Sequence, residues 1–127
     1  MKFKPYESIG DAKFGDSQSE VIAKLGNPDR ETVNRLGQVE MSYPSVTYRF
    51  RAEQGLVEVS VDAPAVELEN VSILFSSLVG FMRERDAETF EKVGFTVSPK
   101  LGVAIDPEYP SWVTVFAKNQ LLSWKAI

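Results

Sequence analysis

The 127-residue chain contains neither cysteine nor histidine. Those two absences remove a great deal of chemistry: disulfides, thiol nucleophiles, Ser-His-Asp triads and His or Cys zinc sites are all impossible. Long apolar runs are missing too. The longest, Val71 to Met82, is broken by three serines and a glycine and falls short of the roughly 20 residues a membrane-spanning helix needs. The opening Met1-Lys2-Phe3-Lys4-Pro5-Tyr6-Glu7 lacks the apolar core of a secretory signal, so a cytoplasmic protein with no membrane attachment is expected. Positive charge is not in excess: the formal net charge is −4, and division at Pro64 leaves −2 in each half. Neither half has the basic footprint of a nucleic-acid binder, and the long-range field favours a basic partner. Disorder is excluded by a composition of 43% hydrophobic and 25% charged residues, and the length is that of one domain able to bury a core.

What the chain does have is phrases that occur twice. Glu20-Val21-Ile22-Ala23-Lys24-Leu25-Gly26 is echoed 68 residues later by Glu88-Thr89-Phe90-Glu91-Lys92-Val93-Gly94, and Tyr43-Pro44-Ser45 recurs 66 residues on as Tyr109-Pro110-Ser111. Phe50 and Phe116 each follow the Ser of that tripeptide by five residues. Two matches in the same order at nearly equal offsets point to a duplicated unit, which constrains architecture before any chemistry is considered.

Local signals fill in the units. Ser17 with Glu20 three residues on is a capping box, and Asp16 adds negative charge at the positive end of the helix dipole. Val21, Ile22 and Leu25 make an apolar stripe, and Gly26 and Pro28 stop the helix. Strands are expected over Arg30 to Leu36, Val46 to Arg51 and Leu56 to Val61, the last two joined by a hairpin turn at Glu53-Gln54-Gly55. Further on, Val66 to Phe75 reads as a strand and Ser76 to Arg85 as a helix. A helix capped by Asp86 is expected to run to Val93, followed by a strand over Leu101 to Ile105 and a turn at Asp106-Pro107-Glu108. A final hairpin would join Trp112–Ala117 to Leu121–Ile127. The expected fold is a single α+β domain over residues 1–127, built of two α-β-β-β units (pseudo-repeats 9–62 and 76–127). Their strands would form one extended antiparallel sheet with the helices on one face.

The stretch Ile9-Gly10-Asp11-Ala12-Lys13-Phe14-Gly15-Asp16-Ser17, followed by Glu20-Val21, Leu25-Gly26 and Pro28, resembles the opening of small domains in the β-lactamase-inhibitor-protein and outer-membrane-assembly lipoprotein group. In that group a capped helix ending in Leu-Gly-x-Pro leads into a three-stranded meander. The inhibitor branch joins two such units in a curved sheet that grips a protein partner. The motif covers Ile9 to about Val61, and the second half is reached only through the internal echo. The lipoprotein branch requires a lipidated Cys, and the secreted inhibitors commonly carry disulfides. A cysteine-free chain therefore looks more like a small bacterial immunity-type protein, which neutralises a toxin or enzyme inside the cell.

Residue chemistry points the same way. Glu84, Glu88 and Glu91 share a helical face but are interleaved with Arg83, Arg85 and Lys92, the pattern of a solvated surface. Asp106-Pro107-Glu108 is too poor in ligands for a calcium loop, and no strand–GxGxxG–helix phosphate motif is present. No catalytic residue, cofactor or metal is expected. With Val46, Tyr48 and Phe50 facing the core, Thr47, Arg49 and Arg51 face outward. Transfer of that register through the Phe50–Phe116 match places Trp112, Thr114 and Phe116 inward and Val113 and Val115 outward, with Trp124 at the place of outward Glu58. The leading expectation is a non-enzymatic protein-binding module, monomeric or homodimeric, that contacts its partner through Arg49, Arg51, Glu58, Tyr109 and Trp124. The alternatives are a small-molecule-binding or carboxylate-based catalytic domain, and a structural module that homodimerises through its apolar face.

Overall fold

A computed structural model describes all 127 residues. The first helix forms as the capping signals require: the Glu20 N–H donates to Ser17 Oγ (3.1 Å) and the Ser17 N–H donates to Glu20 Oε1 (3.0 Å). Helix α1 spans Gln18–Leu25, and Gly26 ends it at φ 86°. Four antiparallel strands follow: β4 (Arg30–Val33), β5 (Val39–Tyr43), β6 (Val46–Arg51) and β7 (Gly55–Asp62). The strand expected over Arg30 to Leu36 stops at Val33, and β5 is additional to the expected three. Strand β6 alternates as read, with Val46, Tyr48 and Phe50 buried and Thr47, Arg49 and Arg51 on the opposite face. Gly55, at φ 71°, is doubly constrained, because a Cβ there would lie 2.4 Å from the Gly15 carbonyl oxygen.

Residues 63–85 are richer than a strand and a helix. Ala65–Leu68 (β8) and Val71–Leu74 (β9) form a hairpin that turns at Glu69-Asn70, both at positive φ, and leads into helix α2 (Phe75–Arg85). Strand β8 pairs in parallel with β1 (Lys2–Lys4), which is joined to β2 (Ser8–Ile9) and β3 (Ala12–Lys13). The result is a separate five-stranded sheet in the order β3-β2-β1-β8-β9. There are thus two open sheets rather than the single one expected.

After α2 come β10 (Phe90–Lys92), β11 (Phe95–Ser98), β12 (Val103–Ile105) and β13 (Trp112–Phe116). Strand β13 pairs with β7, giving an eight-stranded antiparallel sheet in the order β10-β11-β12-β13-β7-β6-β5-β4. Two expectations fail here. Glu88 to Val93 is not helical, because Phe90, Glu91 and Lys92 pair with Val97, Thr96 and Phe95 and the chain reverses at Val93-Gly94. Nor is Leu121 to Ile127 a strand. A 3₁₀ turn over Lys118–Gln120 leads into helix α3, Leu121–Ala126.

The doubled phrases fall on different elements. Glu20–Gly26 is a helix and its cap, whereas the echo at Glu88–Gly94 contains β10. Both Tyr-Pro-Ser copies are turns with the Ser at positive φ, 65° at Ser45 and 75° at Ser111. One precedes β6, the third strand after α1, and the other precedes β13, the fourth strand after α2.

The main core lies on one face of the large sheet. Val21 of α1, Leu78 and Met82 of α2, and Phe3, Leu68 and Ile73 of the small sheet pack there against Val59, Val61, Ile105, Val113 and Val115. Helix α3 lies on the other face, with Leu121 and Trp124 against Val97, Ala104 and Phe116. Helices therefore cover both faces, not one. The transferred register is also corrected: Val113 and Val115, each 1% exposed, belong to the core, while Trp112 is 41% exposed. Cross-strand partners share a face, and β7 places Val113 beside Val61 and Val115 beside Val59.

Candidate functional site

The face of the large sheet away from α1 and α2 is covered in part by α3 and by Tyr6, which meets Phe116 edge-on. Its floor is a row of small side chains running across five strands, Ser42–Thr47–Ser60–Thr114–Ala104. Alongside runs a second row, Glu40–Arg49–Glu58–Phe116. Small residues in one row beside large ones in the next leave a cleft of about 430 Å³, bounded by Arg49, Phe95, Asp106, Tyr109 and Trp112. A second cleft of about 270 Å³ adjoins it across Phe95, between Arg51, Glu58 and Trp124, with Leu36 and Val93 at its rim.

All five residues singled out from the sequence border this face. Arg49 and Tyr109 line the first cleft; Arg51, Glu58 and Trp124 line the second. Trp124 arrives by a different route than expected, from a helix rather than a strand. Its indole stacks on Phe116 (centroids 5.5 Å apart), meets Phe95 edge-on (5.2 Å), and donates from Nε1 to Glu58 Oε1 at 3.1 Å. The sequence reading missed Asp106, taken only as a turn residue, and Trp112, assigned to the core. The β-branched pair Val113 and Val115, read as the buried face of its strand, would have signalled both Trp112 and Thr114 as outward.

The charged row is tightly interlocked. Arg49 donates from Nε to Glu40 Oε2 (2.7 Å) and from Nη1 to Ser60 Oγ (2.6 Å), and lies 3.7 Å from Glu58 Oε2. Ser60 and Thr114 share a hydroxyl hydrogen bond of 2.8 Å. Arg51 donates to Gln120 Oε1 and to the Leu36 carbonyl. Burial pushes the Glu58 carboxyl above its ordinary value, an effect that the Arg49 guanidinium and the Trp124 N–H offset only in part.

The polar groups of this face are arranged as partners of one another. A nucleophile needs a base within hydrogen-bond reach, but the Ser60 hydroxyl is held by a guanidinium, which cannot take its proton. Glu40 and Glu58 are bridged by the same guanidinium rather than set as an acid–base pair. Nowhere do three carboxylates converge where a metal ion could sit. No helix is long and apolar enough to cross a membrane. Side chains already locked in place lose little entropy when a partner docks, and exposed aromatics such as Tyr109 (65%) and Trp112 supply large contact area. Comparison with protein-family models, curated proteins and solved structures finds no match to this chain.

Proposed function

We propose that the protein is a non-enzymatic binding module that grips another protein with the outer face of its eight-stranded sheet, as a cytoplasmic inhibitor or immunity-type protein of bacterial kind. The observation that carries this reading is the preordered face itself. Arg49 donates to Ser60 and lies against Glu58, Trp124 donates to Glu58, and Arg51 is held separately by Gln120 and the Leu36 carbonyl, while solvent-exposed Tyr109 and Trp112 stand beside them. Each half is one helix followed by four strands, joined at β7 and β13, one strand more than the three-stranded meander of the inhibitor group.

The test is capture on immobilised protein from the source cell, identification of the bound protein, and reconstitution with the purified partner in a calorimeter. Tyr109→Ala and Trp112→Ala, both at exposed positions, are expected to weaken the reconstituted complex at least tenfold each, as hot-spot truncations do. A complex indifferent to both, or one disrupted instead by substitutions on the exposed surfaces of α1 or α2, would refute the proposal. So would a purified toxin, encoded by the gene beside that of this protein, that the protein leaves fully active.

A further inference from the structure

Resting on that reading, we infer that the first cleft receives a cationic side chain, lysine or arginine, from a basic segment of the partner protein. Asp106 is half-buried in the cleft wall, where its Oδ1 accepts the Glu108 N–H at 2.9 Å and its Oδ2 accepts from no protein donor. No lysine or arginine of the chain pairs with it, although the charged groups of the neighbouring row are all engaged with one another. Phe95, Tyr109 and Trp112 complete the walls around this carboxylate. A carboxylate with aromatic rings about it is the arrangement that takes up an ammonium or guanidinium group, through an ion pair and through the negative ring faces.

An anionic visitor is disfavoured. The one cation at the cleft, Arg49, already donates to Glu40 and Ser60 and lies against Glu58, while the chain as a whole carries −4. A purely apolar side chain would leave the free Asp106 oxygen stripped of water without a partner, which costs free energy. The floor of Ser60, Ala104 and Thr114 is low enough for an extended side chain to lie along it, and the Thr114 hydroxyl adds an acceptor.

The experiment uses four small probes and amide and indole NMR shifts of the full chain: N-acetyl-arginine amide, N-acetyl-lysine amide, and their neutral counterparts N-acetyl-citrulline amide and N-acetyl-Nε-acetyl-lysine amide. A charged probe is expected to shift the Trp112 indole and the Ala104, Asp106 and Thr114 amides, and the arginine and lysine arms tell which cation fits better. Asp106→Asn keeps the acceptor for the Glu108 N–H and removes only the charge, so it should weaken the charged probe about fivefold with the fold intact. Trp112→Ala gives a second, independent loss. Neutral probes that bind as well as charged ones, shifts confined to other surfaces, or affinity unchanged in Asp106→Asn would each overturn the inference. Failure of the parent reading is distinguishable: a reconstituted partner weakened by Tyr109→Ala but untouched by Asp106→Asn sinks only the cation pocket, whereas a partner indifferent to Tyr109→Ala and Trp112→Ala sinks the binding face itself.

Discussion

Trp124 is the anchor by which α3 holds one end of the sheet, and its replacement separates two effects of opposite sign. Truncation of a fully buried Trp to Ala costs about 3–5 kcal/mol. Trp124 is half-buried and also gives up its ring packing on Phe116 and Phe95 and its hydrogen bond to Glu58, so Trp124→Ala should cost about 2–3 kcal/mol. For a chain of this length that lowers Tm by roughly 10 °C. A six-residue helix cannot persist without tertiary support, so the α3 amides should lose their exchange protection while those of β7 and β13 keep theirs. Trp124→Phe retains most of the ring packing but has no N–H. The consequence for Glu58 is diagnostic. Burial raises its pKa and the indole N–H lowers it, so the Phe variant should push that pKa higher still, and the Ala variant, which admits water, should bring it down. The sign for stability follows: a carboxyl raised in the folded state contributes stability that is full below its ordinary value of 4.5 and fades as pH rises through the folded value. The Phe variant should widen that window and the Ala variant should narrow it, read by urea unfolding at a series of pH values and by side-chain carbonyl NMR of Glu58. Shifts of the same sign in both variants, or a loss under about 1 kcal/mol with α3 still protected, would refute this account of the face.

Three further outcomes follow from single contacts. Gly55→Ala forces a Cβ to 2.4 Å from the Gly15 carbonyl oxygen at φ 71°, and should destabilise the protein by about 3 kcal/mol or more in urea titration. Val93 is a β-branched residue at φ 43° and 75% exposed in the β10–β11 turn; Val93→Asn, which tolerates that conformation, should raise stability by about 0.5–1 kcal/mol in the same assay. Burial alone would raise the Asp86 carboxyl, but donation from the Lys100 N–H, Ser98 Oγ and the Glu88 N–H outweighs it and holds the group below ordinary carboxylates. Its stabilisation is therefore present above the ordinary value of 3.8 and lost as pH falls through the folded value. Asp86→Asn, with one acceptor oxygen for three donors, should cost about 2–3 kcal/mol near pH 7 and flatten that acid limb.

What was legible in the sequence was whatever neighbouring residues decide among themselves. The Ser17–Glu20 capping box is complete within four residues and forms as read. The β6–β7 hairpin has its alternation and its glycine turn within one short stretch. Phe90 to Lys92 could not be read that way: its residues suit a helix end, and only pairing with Thr96 and its neighbours makes them a strand. Helix α3 did carry a signal, since Leu121 and Trp124 stand three apart and share a face. In a segment this short, that spacing competes with a strand's alternation on equal terms. At the candidate site, the charged residues of β6 and β7 were visible because their strands alternate cleanly. Asp106 was not, because its wall of the cleft is assembled from β11, β12 and the turn before β13.

The doubled Tyr-Pro-Ser phrase shows where local instruction ends. Pro with fixed φ followed by Ser at positive φ makes the same turn wherever it is written. What the following strand faces is set by its neighbour, and here one strand, β7, is neighbour to both. Val46 and Val113 each stand opposite Val61, whereas alignment of the two phrases matches Val46 with Trp112. The discrepancy is a single residue, but in a structure of period two a single residue exchanges the faces. Val113 and Val115 therefore pass from an expected outer patch into the core, and Trp112 passes from the expected core to the wall of the cleft beside Asp106. The apolar character first assigned to the outer face thus resolves into exposed aromatic rings around an unpaired carboxylate. That surface calls for a cation from its partner rather than for another apolar sheet.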